Sequence, residues 1–428
     1  MADVSAPTIH IRCLPDGEGG AASRVEDLRD VLTEFVFEDK ERGADKMSLT
    51  LDNFELLLTD DPAFKRGMLL EVSWGYPGRM APTRQMVVTG ITGAQVLKVE
   101  ARDKSILMGK VRRTRAFERM RRSDIVRQVA AENGFSDPTT VDVDDTDTVY
   151  DSVHQAHLSD AAFLTRLAHL EGFEWYVDWD GFHWHARRLA ARPVRELEFY
   201  TAPRVGEVIT FGVDNDITAR PARTRVQGRD LLNRRDVDET ADDASDASTT
   251  RLAPVVELID PETRRATAVD QRAASEEVRP TSAQDDASAQ AEARGRNRRV
   301  RLTAIKMKVE MVGDPLMFAK TSVRMSGVGT RLGVLYWVKV ARHTINASGY
   351  RVSLEQASDG SGGHERASRV ARGLELVENP TTAAHVNAQT PPEHAEGEAA
   401  TQLEPVETID PETRRATTTY RTVRAREG

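Results

Sequence analysis

Short segments in which apolar and polar residues alternate dominate this chain, and they constrain its fold more than any other feature. Residues 7–110 contain TIHIRCL, MSLTLDNFEL, MLLEVSWGY, RQMVVTGIT and VLKVEARD, with Gly, Pro and Asp between them. A period of two is typical of strands with one buried face, and the intervening residues favour tight turns. The pattern predicts a small antiparallel β-barrel or sandwich at residues 1–115.

A second set of such segments follows later in the chain, as LEFYTAP, EVITFGV and ARTRVQGRD, and then as VRLTAIKMKVEM, TSVRMSGVG, LYWVKVARHTI and YRVSLEQ. We assign a second β-barrel to residues 196–233 and 291–357. Asp61-Pro62 with Phe64, before the strand MLLEVSWG, is echoed by Asp314-Pro315 with Phe318, before TSVRMSG. This faint repeat predicts two β domains of similar plan.

Two helices and a hairpin are predicted between the barrels, at residues 116–195. SDIVRQVAAENG begins at Ser123 and SDAAFLTRLAHLEG at Ser159, and each pairs an N-cap serine and an acid with a closing glycine. The second helix carries an apolar stripe of Phe163, Leu164, Leu167 and Leu170, which must pack against a neighbour. The fold class is therefore α+β and β-dominated, with a helix-hairpin domain inserted between two similar antiparallel barrels.

Two segments have the composition of linkers. Residues 234–290 are rich in Asp, Ala, Ser, Thr and Glu and predict a mobile or thinly packed acidic insertion, and residues 358–428 predict a low-complexity tail. LIDPETRRAT at residues 258–267 recurs as TIDPETRRAT at residues 408–417, with one repeat in each segment. We interpret the repeat as a docking or duplicated linker element.

Composition and charge exclude several classes of protein. The 428 residues carry a net charge of -9, so the field of the whole molecule does not attract nucleic acid or anionic membranes. A single cysteine, Cys13, excludes intrachain disulfides and a cysteine-based zinc cluster. The chain has no recognisable export signal and no run of about 18 apolar residues, so we expect no membrane insertion.

The stretch EGFEWYVDWDGFHWHARR, residues 171–188, predicts a hairpin with a two-residue type I′ turn at Asp180-Gly181. Counting outward from that turn fixes the strand pairing. The predicted pairs are Trp179 with Phe182, Val177 with Trp184 and Trp175 with Ala186 on one face, and Asp178 with His183, Tyr176 with His185 and Glu174 with Arg187 on the other. The first face predicts an aromatic core surface, and the second a ladder of complementary polar pairs.

A metal or catalytic site is the competing interpretation of this region, because it holds five of the ten histidines: His154, His157, His169, His183 and His185. Their spacing matches no HExxH-like pattern, so we favour cross-strand pairing at a surface. DVDDTD from Asp142 lacks the glycine of a calcium loop, and GVGTRLG from Gly327 leads into a strand rather than a helix. We therefore predict no catalytic, cofactor-binding or metal-binding residue.

The basic run KVRRTRAFERMRRSD begins at Lys110 and contains seven basic residues with one aromatic residue, Phe117. Such a run could follow a phosphate backbone, but a basic edge that meets an acidic partner surface is the commoner case. We expect the second.

The linear order of motifs resembles that of the phage late control D proteins, the tail hub family related to the base of VgrG spikes and to hubs of contractile injection systems. The resemblance covers residues 7–233 and 290–356. It rests on FKRGMLLEVSWGY, VVTGIT, VEARDKSILMG, SDIVRQVAAENGF, VHQAHLSDAAFLTRLAHLEGFEWYVDWDGFHWHARR and VGTRLGVLYWVKVARHTINASGYRVSLE.

The resemblance implies a non-enzymatic homotrimer whose two barrels per chain form a pseudo-six-fold ring, joining a hexameric inner tube to a trimeric spike. The region after Glu355 has no glycine-spaced β-helix repeat, so a separate spike protein is implied. Other baseplate proteins would bind the ring, and DNA or protein cargo could pass through it. The particle would assemble in the bacterial or host cytoplasm, as part of a virion tail or an injection particle.

Two alternatives come from other classes of protein. One is a metal-dependent cell-wall hydrolase that uses the histidines from His154 to His185, and the other is a peptidoglycan-binding or adhesin module.

Overall fold

The structure, a computed structural model, describes residues 6–14, 24–26, 28, 30–60, 65–188, 193–199, 206–214, 223–230, 234–242, 255–259, 266–270, 276–281, 286–301, 305–329, 332–358, 401–409 and 416–424. Strands predominate among them, which confirms the β-dominated fold class. No helix in the described ranges is long and apolar enough to cross a bilayer.

The first strand set precedes residue 104. Its strands are β1 (Thr8–Leu14), β2 (Arg24–Glu26), β3 (Leu32–Lys40), β4 (Lys46–Asp52), β5 (Leu69–Tyr76), β6 (Arg79–Met80), β7 (Arg84–Gly93) and β8 (Val96–Asp103). Short 3₁₀ turns lie at Leu57–Asp60 and Lys104–Gly109. Buried and partly exposed residues alternate along β3 and β4, as the sequence predicts.

The helix-hairpin segment follows. It consists of β9 (Arg112–Arg121), α1 (Arg122–Glu132), β10 (Val141–Val143), β11 (Val149–Ser159), α2 (Asp160–Glu171), β12 (Phe173–Val177) and β13 (Phe182–Ala186). The two helices and the aromatic face of the hairpin share one buried cluster. This cluster includes the predicted stripe residues Phe163, Leu164 and Leu167.

The caps explain where α2 begins and ends. The Ser159 side chain accepts a hydrogen bond from the Ala162 N–H, and Gly172 ends the helix at φ 72°, both as predicted. The predicted cap of α1 is wrong, because α1 begins at Arg122 and Ser123 lies inside it. The Ser123 hydroxyl instead contacts Thr146, 3.3 Å away, within the buried interior.

The remaining elements begin after residue 194. They are β14 (Arg195–Glu198), β15 (Val208–Asp214), β16 (Arg223–Asp230), β17 (Arg235–Asp242), β18 (Val255–Ile259), β19 (Ala266–Asp270), β20 (Glu276–Pro280), α3 (Asp286–Arg301), β21 (Ile305–Val312), β22 (Ser322–Ser326), β23 (Leu335–Asn346), β24 (Gly349–Ser358), β25 (Thr401–Ile409) and β26 (Ala416–Arg424). We call β14, β15 and β21–β24 the second strand set.

The two strand sets belong to one 14-stranded sheet. The second half of β23, Val340–Asn346, pairs antiparallel with Glu34–Lys40 of β3, and this is where the two sets meet. Side chains from both sets fill a single hydrophobic core. The two sets are therefore packed together as one body rather than joined only by a linker.

The strand order is duplicated within this sheet. The first set runs β3-β4-β8-β7-β5, and the second runs β15-β21-β24-β23-β22 in the same chain order and with the same antiparallel pairing. The pairing register shifts at equivalent places in the two sets. It shifts after Val88 in β7–β8 and after Val338 in β23–β24, and it shifts after Leu32 in β3–β4 and after Val208 in β15–β21. These bulges align the two sets residue by residue.

One backbone hydrogen bond, from a residue with positive φ, is also repeated in the two strand sets. Gly67 and Lys320 both have positive φ, and their N–H groups donate to the carbonyls of Val88 and Val338 respectively. The duplication therefore extends to single backbone hydrogen bonds, which the faint Asp-Pro repeat in the sequence only suggested. The copy Asp61–Phe64 of that repeat lies outside the described residues.

Part of the predicted acidic insertion is packed, contrary to the expectation that it is thinly packed or mobile. Strands β17, β16 and β20 form a three-stranded sheet, and α3 packs against β16 and β17. Val237, Ala241 and Ala293 are fully or almost fully buried there. Small side chains allow this helix to approach the sheet closely, so few large apolar residues are needed.

In both copies of the IDPETRRAT repeat, the two ends of the repeat lie on antiparallel strands that pair with each other. In β18–β19 Ile259 pairs with Ala266, and in β25–β26 Ile409 pairs with Ala416. The second hairpin belongs to a separate unit, residues 368–428, and was not predicted within the low-complexity tail. The docking role of the repeat stays a prediction.

Candidate functional site at the hairpin tip and the open strand edges

The β12–β13 hairpin has a different register from the predicted one. Val177 pairs with Phe182 and Trp175 with Trp184, so the connection contains four residues, Asp178 to Gly181, instead of two. Asp180 does not have the positive φ that a type I′ turn requires. The Asp178 carboxylate accepts the Asp180 N–H and contacts His183, which holds the longer loop together.

The faces of the paired residues 173–177 and 182–186 are nevertheless as predicted, because a shift of two residues keeps each side chain on its side. Trp179, predicted on the aromatic face, lies in the loop, and the polar face is buried at Glu174, His183 and His185 rather than at the surface. Phe182 and Trp184 are fully buried on the aromatic face. On the other face, the rings of Tyr176 and His183 stack with centroids 4.6 Å apart, and the Tyr176 hydroxyl lies 3.1 Å from His185 Nε2. The predicted polar pairs are wrong in register but correct in face.

The longer loop lets Trp179 reach both strand sets. Its ring lies 5.1 Å from that of Phe318, and the Arg84 guanidinium sits 4.3 Å above it. The Lys320 ammonium lies 4.5 Å from the ring centre of Tyr176. The hairpin tip therefore contacts the first set through Arg84 and the second through Phe318 and Lys320.

A buried charge cluster lies directly beneath this tip. Lys320 Nζ lies 2.5 Å from Asp39 Oδ1 and 3.7 Å from Asp45 Oδ1. Arg84 contacts the same two carboxylates at 3.4 and 3.9 Å. All four side chains are 4% exposed or less, so solvent screens these interactions weakly.

The pKa directions in this cluster follow from burial and from the charges nearby. Burial, reinforced by Asp39, raises the pKa of Asp45 well above its ordinary value. Burial opposes the charge of Lys320, but the carboxylates of Asp39 and Asp45 outweigh it and raise the pKa of Lys320. The ammonium therefore stays charged and ties Asp39 of the first set to the loop before β22.

A second buried cluster joins the helix-hairpin segment to the strands. Glu41 Oε1 accepts hydrogen bonds from Arg187 Nε and Trp337 Nε1, each 2.7 Å long, and Arg187 also pairs with Glu174. Burial raises the pKa of Glu174 well above its ordinary range, whereas hydrogen bonds from Glu174 and Arg187 overcome burial and hold the pKa of Glu41 at about 2. Glu41 is therefore the ionised carboxyl of the two, whereas burial favours the protonated form of Glu174.

A cleft of about 350 Å³ opens between the hairpin tip and the first strand set. Carboxylates outnumber cations on its wall, which includes Asp45, Glu71, Asp103, Asp178 and Asp180 against Arg84 and Lys104. The cleft is therefore suited to a cation rather than an anion.

Open strand edges form the second part of the candidate site. β15 pairs with β21 on one side, and no strand in the described part of the chain pairs with its other side. β5 pairs with β7 only as far as Val87, so the outer edge of β7 near Thr92 is also unpaired among the described strands. Unpaired edges of this kind are ready to pair with another chain.

An apolar loop after β4 is held in a fixed shape. The buried Asn53 side chain donates to Thr59 Oγ1 and the Ala94 carbonyl, and its Oδ1 accepts the Leu58 N–H. Phe54 and Leu57 are nevertheless 74% and 73% exposed. A rigid loop that displays large apolar side chains favours a protein partner.

The histidines named from the sequence do not converge on one point. His154 and His157 are exposed on β11, and His169 lies near the end of α2, where burial and then Arg299 lower its pKa to about 4. His183 and His185 are neighbours on β13, with ring centroids 5.9 Å apart. The five-histidine site on which the hydrolase alternative depends is therefore absent from the described residues.

The other sequence candidates have structural partners. Asp142 binds Arg188, with the Oδ2–Nη2 distance at 2.9 Å, and Asp144 accepts the Ala186 N–H. The basic run forms β9, where Arg113 and Arg115 pair with Glu132 of the same chain. Part of its charge is thus neutralised internally rather than by a partner.

The clusters beneath the hairpin could not be found from the sequence. Asp39 and Lys320 are 281 residues apart in number and belong to no spacing motif. The only available signal was the weak Asp-Pro repeat, since Lys320 occupies the position equivalent to Gly67.

This fold is that of phage tail proteins. A tail protein from Neisseria meningitidis MC58 has a similar structure, with a TM-score of 0.58 and 12% identity over 84% of this chain and 98% of that one. The prophage MuSo2 43 kDa tail protein from Shewanella oneidensis gives a TM-score of 0.56 and 11% identity over 83% and 99%. These similarities confirm the predicted resemblance to tail proteins at the level of fold.

The chain belongs to the family of the Alg8 N-terminal domain, whose model matches residues 51–347. No curated protein matches the sequence.

Proposed function

We propose that this protein is the structural hub of a contractile tail or injection system, a homotrimer that adapts a hexameric inner tube to a trimeric spike. Its role is non-enzymatic. The tail-protein fold supports the general role. The duplicated strand order supports the symmetry, because two similar barrels per chain would let three chains present six equivalent surfaces.

The observation that carries the proposal is the junction between the two strand sets. Within the chain, the second half of β23 pairs with β3. Their equivalents in the duplicated order are the second half of β7 and β15, which are the two open edges described above. If β7 of one copy pairs with β15 of the next, the junctions between chains resemble the β23–β3 junction within each chain. All six junctions in the ring are then similar.

The matched bulges fix the register of this contact. Arg342 pairs with Glu38 in the chain. Thr92 lies four residues after Val88, as Arg342 lies four after Val338, and Asp214 lies six after Val208, as Glu38 lies six after Leu32. We therefore expect Thr92 of one copy to face Asp214 of its neighbour, and both residues are exposed in the single chain.

The partners follow from this arrangement. The six tube-facing surfaces would bind an inner tube protein, and the three-fold face would bind a separate spike protein and other baseplate proteins. Cargo, DNA or protein, would pass through the centre, where a chain with a net charge of -9 would not retain nucleic acid. The assembly would form in the cytoplasm and become part of a virion tail or an injection particle.

Disulfide cross-linking tests the contact directly. Directly opposite residues in antiparallel strands lie about 4.5–5.5 Å apart, within reach of a disulfide. The double variant Thr92→Cys/Asp214→Cys should give covalent dimers and trimers under mild oxidation, with the closed trimer as the largest product. The one native cysteine, Cys13, is buried, which keeps the background low.

The control pairs Asp214→Cys with Glu118→Cys, which lies exposed on β9 and outside the proposed contact. It should not cross-link faster than either single variant. Mass measurement in solution should show trimers whose fraction rises with concentration. A protein that stays monomeric at high concentration and cross-links no better than the control contradicts the ring.

A further inference from the structure

Three donor atoms converge at the tip of the β12–β13 hairpin. His183 Nε2 lies 3.0 Å from Asp178 Oδ1 and 2.9 Å from Asp180 Oδ1, and all three ligand atoms lie within 4.8 Å of one another. Ligands at about 2.0–2.1 Å from a tetrahedral ion are roughly 3.3 Å apart. The two His183–carboxylate distances are a few tenths of an ångström shorter than this spacing, so the turn needs to open only slightly at His183 to admit an ion.

The other side of the His183 ring supplies an independent observation. Nδ1 is buried without a hydrogen bond among the described residues, and it points toward Asp142 Oδ2 at 3.5 Å. A metal-bound histidine commonly directs its second ring nitrogen at a carboxylate. A neutral imidazole has one N–H and cannot donate to carboxylates on both sides, so the ring is either an imidazolium with two N–H donors or a metal ligand whose Nδ1–H faces Asp142.

Neighbouring side chains and one backbone N–H hold these groups in place. Arg188 binds Asp142, and the Tyr176 ring stacks on His183 at an interplanar angle of 15°. The Asp180 N–H donates to Asp178 Oδ1. The ring and both carboxylates are therefore oriented before any ion binds, which lowers the entropic cost of binding.

We propose that Asp178, Asp180 and His183 bind one divalent transition-metal ion, of which zinc is the natural probe. Two carboxylates balance the charge of the ion. The imidazole favours zinc, manganese or cobalt over magnesium and calcium, which prefer oxygen ligands alone. Metal binding here would contradict the sequence-based expectation that no residue binds metal.

A neighbouring triad, Asp142 with His183 and His185, is less suited to a metal. Both nitrogens of His185 have partners, since Nδ1 lies 2.7 Å from the Ala186 carbonyl and Nε2 lies 3.1 Å from the Tyr176 hydroxyl. Asp142 is already paired with Arg188. We therefore assign Asp142 to the orientation of His183 and not to the ion.

The site is accessible and well placed to stabilise the tip. Asp178 and Asp180 line the cleft described above, and the Asp180 side chain is 56% exposed. Trp179, which contacts Arg84 and Phe318, lies between the two aspartates. An ion at this position would fix the loop that joins the hairpin to both strand sets, whether or not the chain forms the proposed ring.

Zinc titration of the full-length protein tests the site. After treatment with a chelator, calorimetry should show one zinc ion per chain, and zinc should raise the melting temperature, because a ligand that binds the folded state stabilises it. Asp180→Asn and His183→Gln should each weaken zinc binding at least tenfold, about 1.4 kcal/mol. Asp180→Asn changes a half-exposed side chain, so its fold should be retained.

Asp151→Asn and His154→Gln are matched controls, because both residues are exposed on β11 and lie outside the proposed site. They should bind zinc like the wild type. Failure of the wild-type protein to bind zinc overturns the proposal, and so does binding that survives His183→Gln unchanged. Neither result bears on the cross-linking of Thr92 to Asp214, so the two proposals can fail separately.

Discussion

Replacing Lys320 by methionine removes the cation from the buried charge cluster and keeps the length of the side chain. Lys320 is 4% exposed, and its ammonium contacts Asp39 at 2.5 Å and Asp45 at 3.7 Å. The backbone strain at φ 63° is the same before and after the change. The variant therefore isolates the effect of the charge.

We expect a loss of about 3–5 kcal/mol in the free energy of unfolding at neutral pH, the usual cost of removing one partner from a buried ion pair. Arg84 remains near both carboxylates, which favours the lower end of this range. At about 2–4 °C per kcal/mol, the melting temperature should fall by on the order of 10 °C.

The loss should also depend on pH. Burial and then Asp39 already raise the pKa of Asp45, while Lys320 lowers it. Without the ammonium this pKa rises further. A carboxyl whose pKa is raised by folding favours the folded state below its unfolded pKa, about 3.9, and this stabilisation is lost as pH rises through the folded pKa. The deficit of the variant should therefore be smaller at pH 5 than at pH 7.5.

Urea unfolding followed by tryptophan fluorescence at both pH values measures this difference. Lys308→Met is the matched control, because Lys308 forms an ion pair with Glu355 while 78% exposed, and it should change stability by less than about 0.5 kcal/mol. If Lys320→Met costs no more than the control, or costs the same at both pH values, the buried cluster does not stabilise the junction.

Three further predictions concern the core and the caps. Trp184→Ala, at a fully buried site, should cost about 3–5 kcal/mol in chemical unfolding and abolish assembly, whereas a surface-like loss near 1 kcal/mol would contradict the hairpin packing. Burial, partly opposed by Asp39, lowers the pKa of His343 to about 4. The stability contributed by the neutral ring is therefore complete above pH 6.5, and about 3 kcal/mol of the free energy of unfolding is lost as the pH falls to 4. Urea midpoints measured across this range should fall less in His343→Gln than in the wild type. Gly172→Ala should lower the free energy of unfolding by more than about 1–2 kcal/mol, since φ is 72° and the new Cβ would lie 2.3 Å from Gly295 Cα. Thermal unfolding should show a milder effect for Gly134→Ala, where φ is 90° but no atom lies within 4 Å of the new Cβ.

Short-range sequence patterns correctly predicted helix α2 and the aromatic face of the β12–β13 hairpin. The cap serine and closing glycine of α2 are confirmed because their hydrogen bonds involve residues three or four apart. The aromatic face of the hairpin is confirmed because the period of two survives a change in loop length. The turn at Asp180-Gly181 was wrong because Asp178 and His183 favour a longer loop, and Trp179 finds partners that are distant in the sequence.

The sequence by itself determined the strand-rich class, the helix-hairpin segment and a suggestion of duplication, since all three depend on short-range periodicity and composition. Only the tertiary structure decided that the two strand sets join through β23 and β3, that Lys320 lies between Asp39 and Asp45, and that Asp178, Asp180 and His183 converge. The physical reason is that strand edges and buried charges are matched across hundreds of residues. Such long-range pairing produces no periodic pattern in the amino-acid sequence.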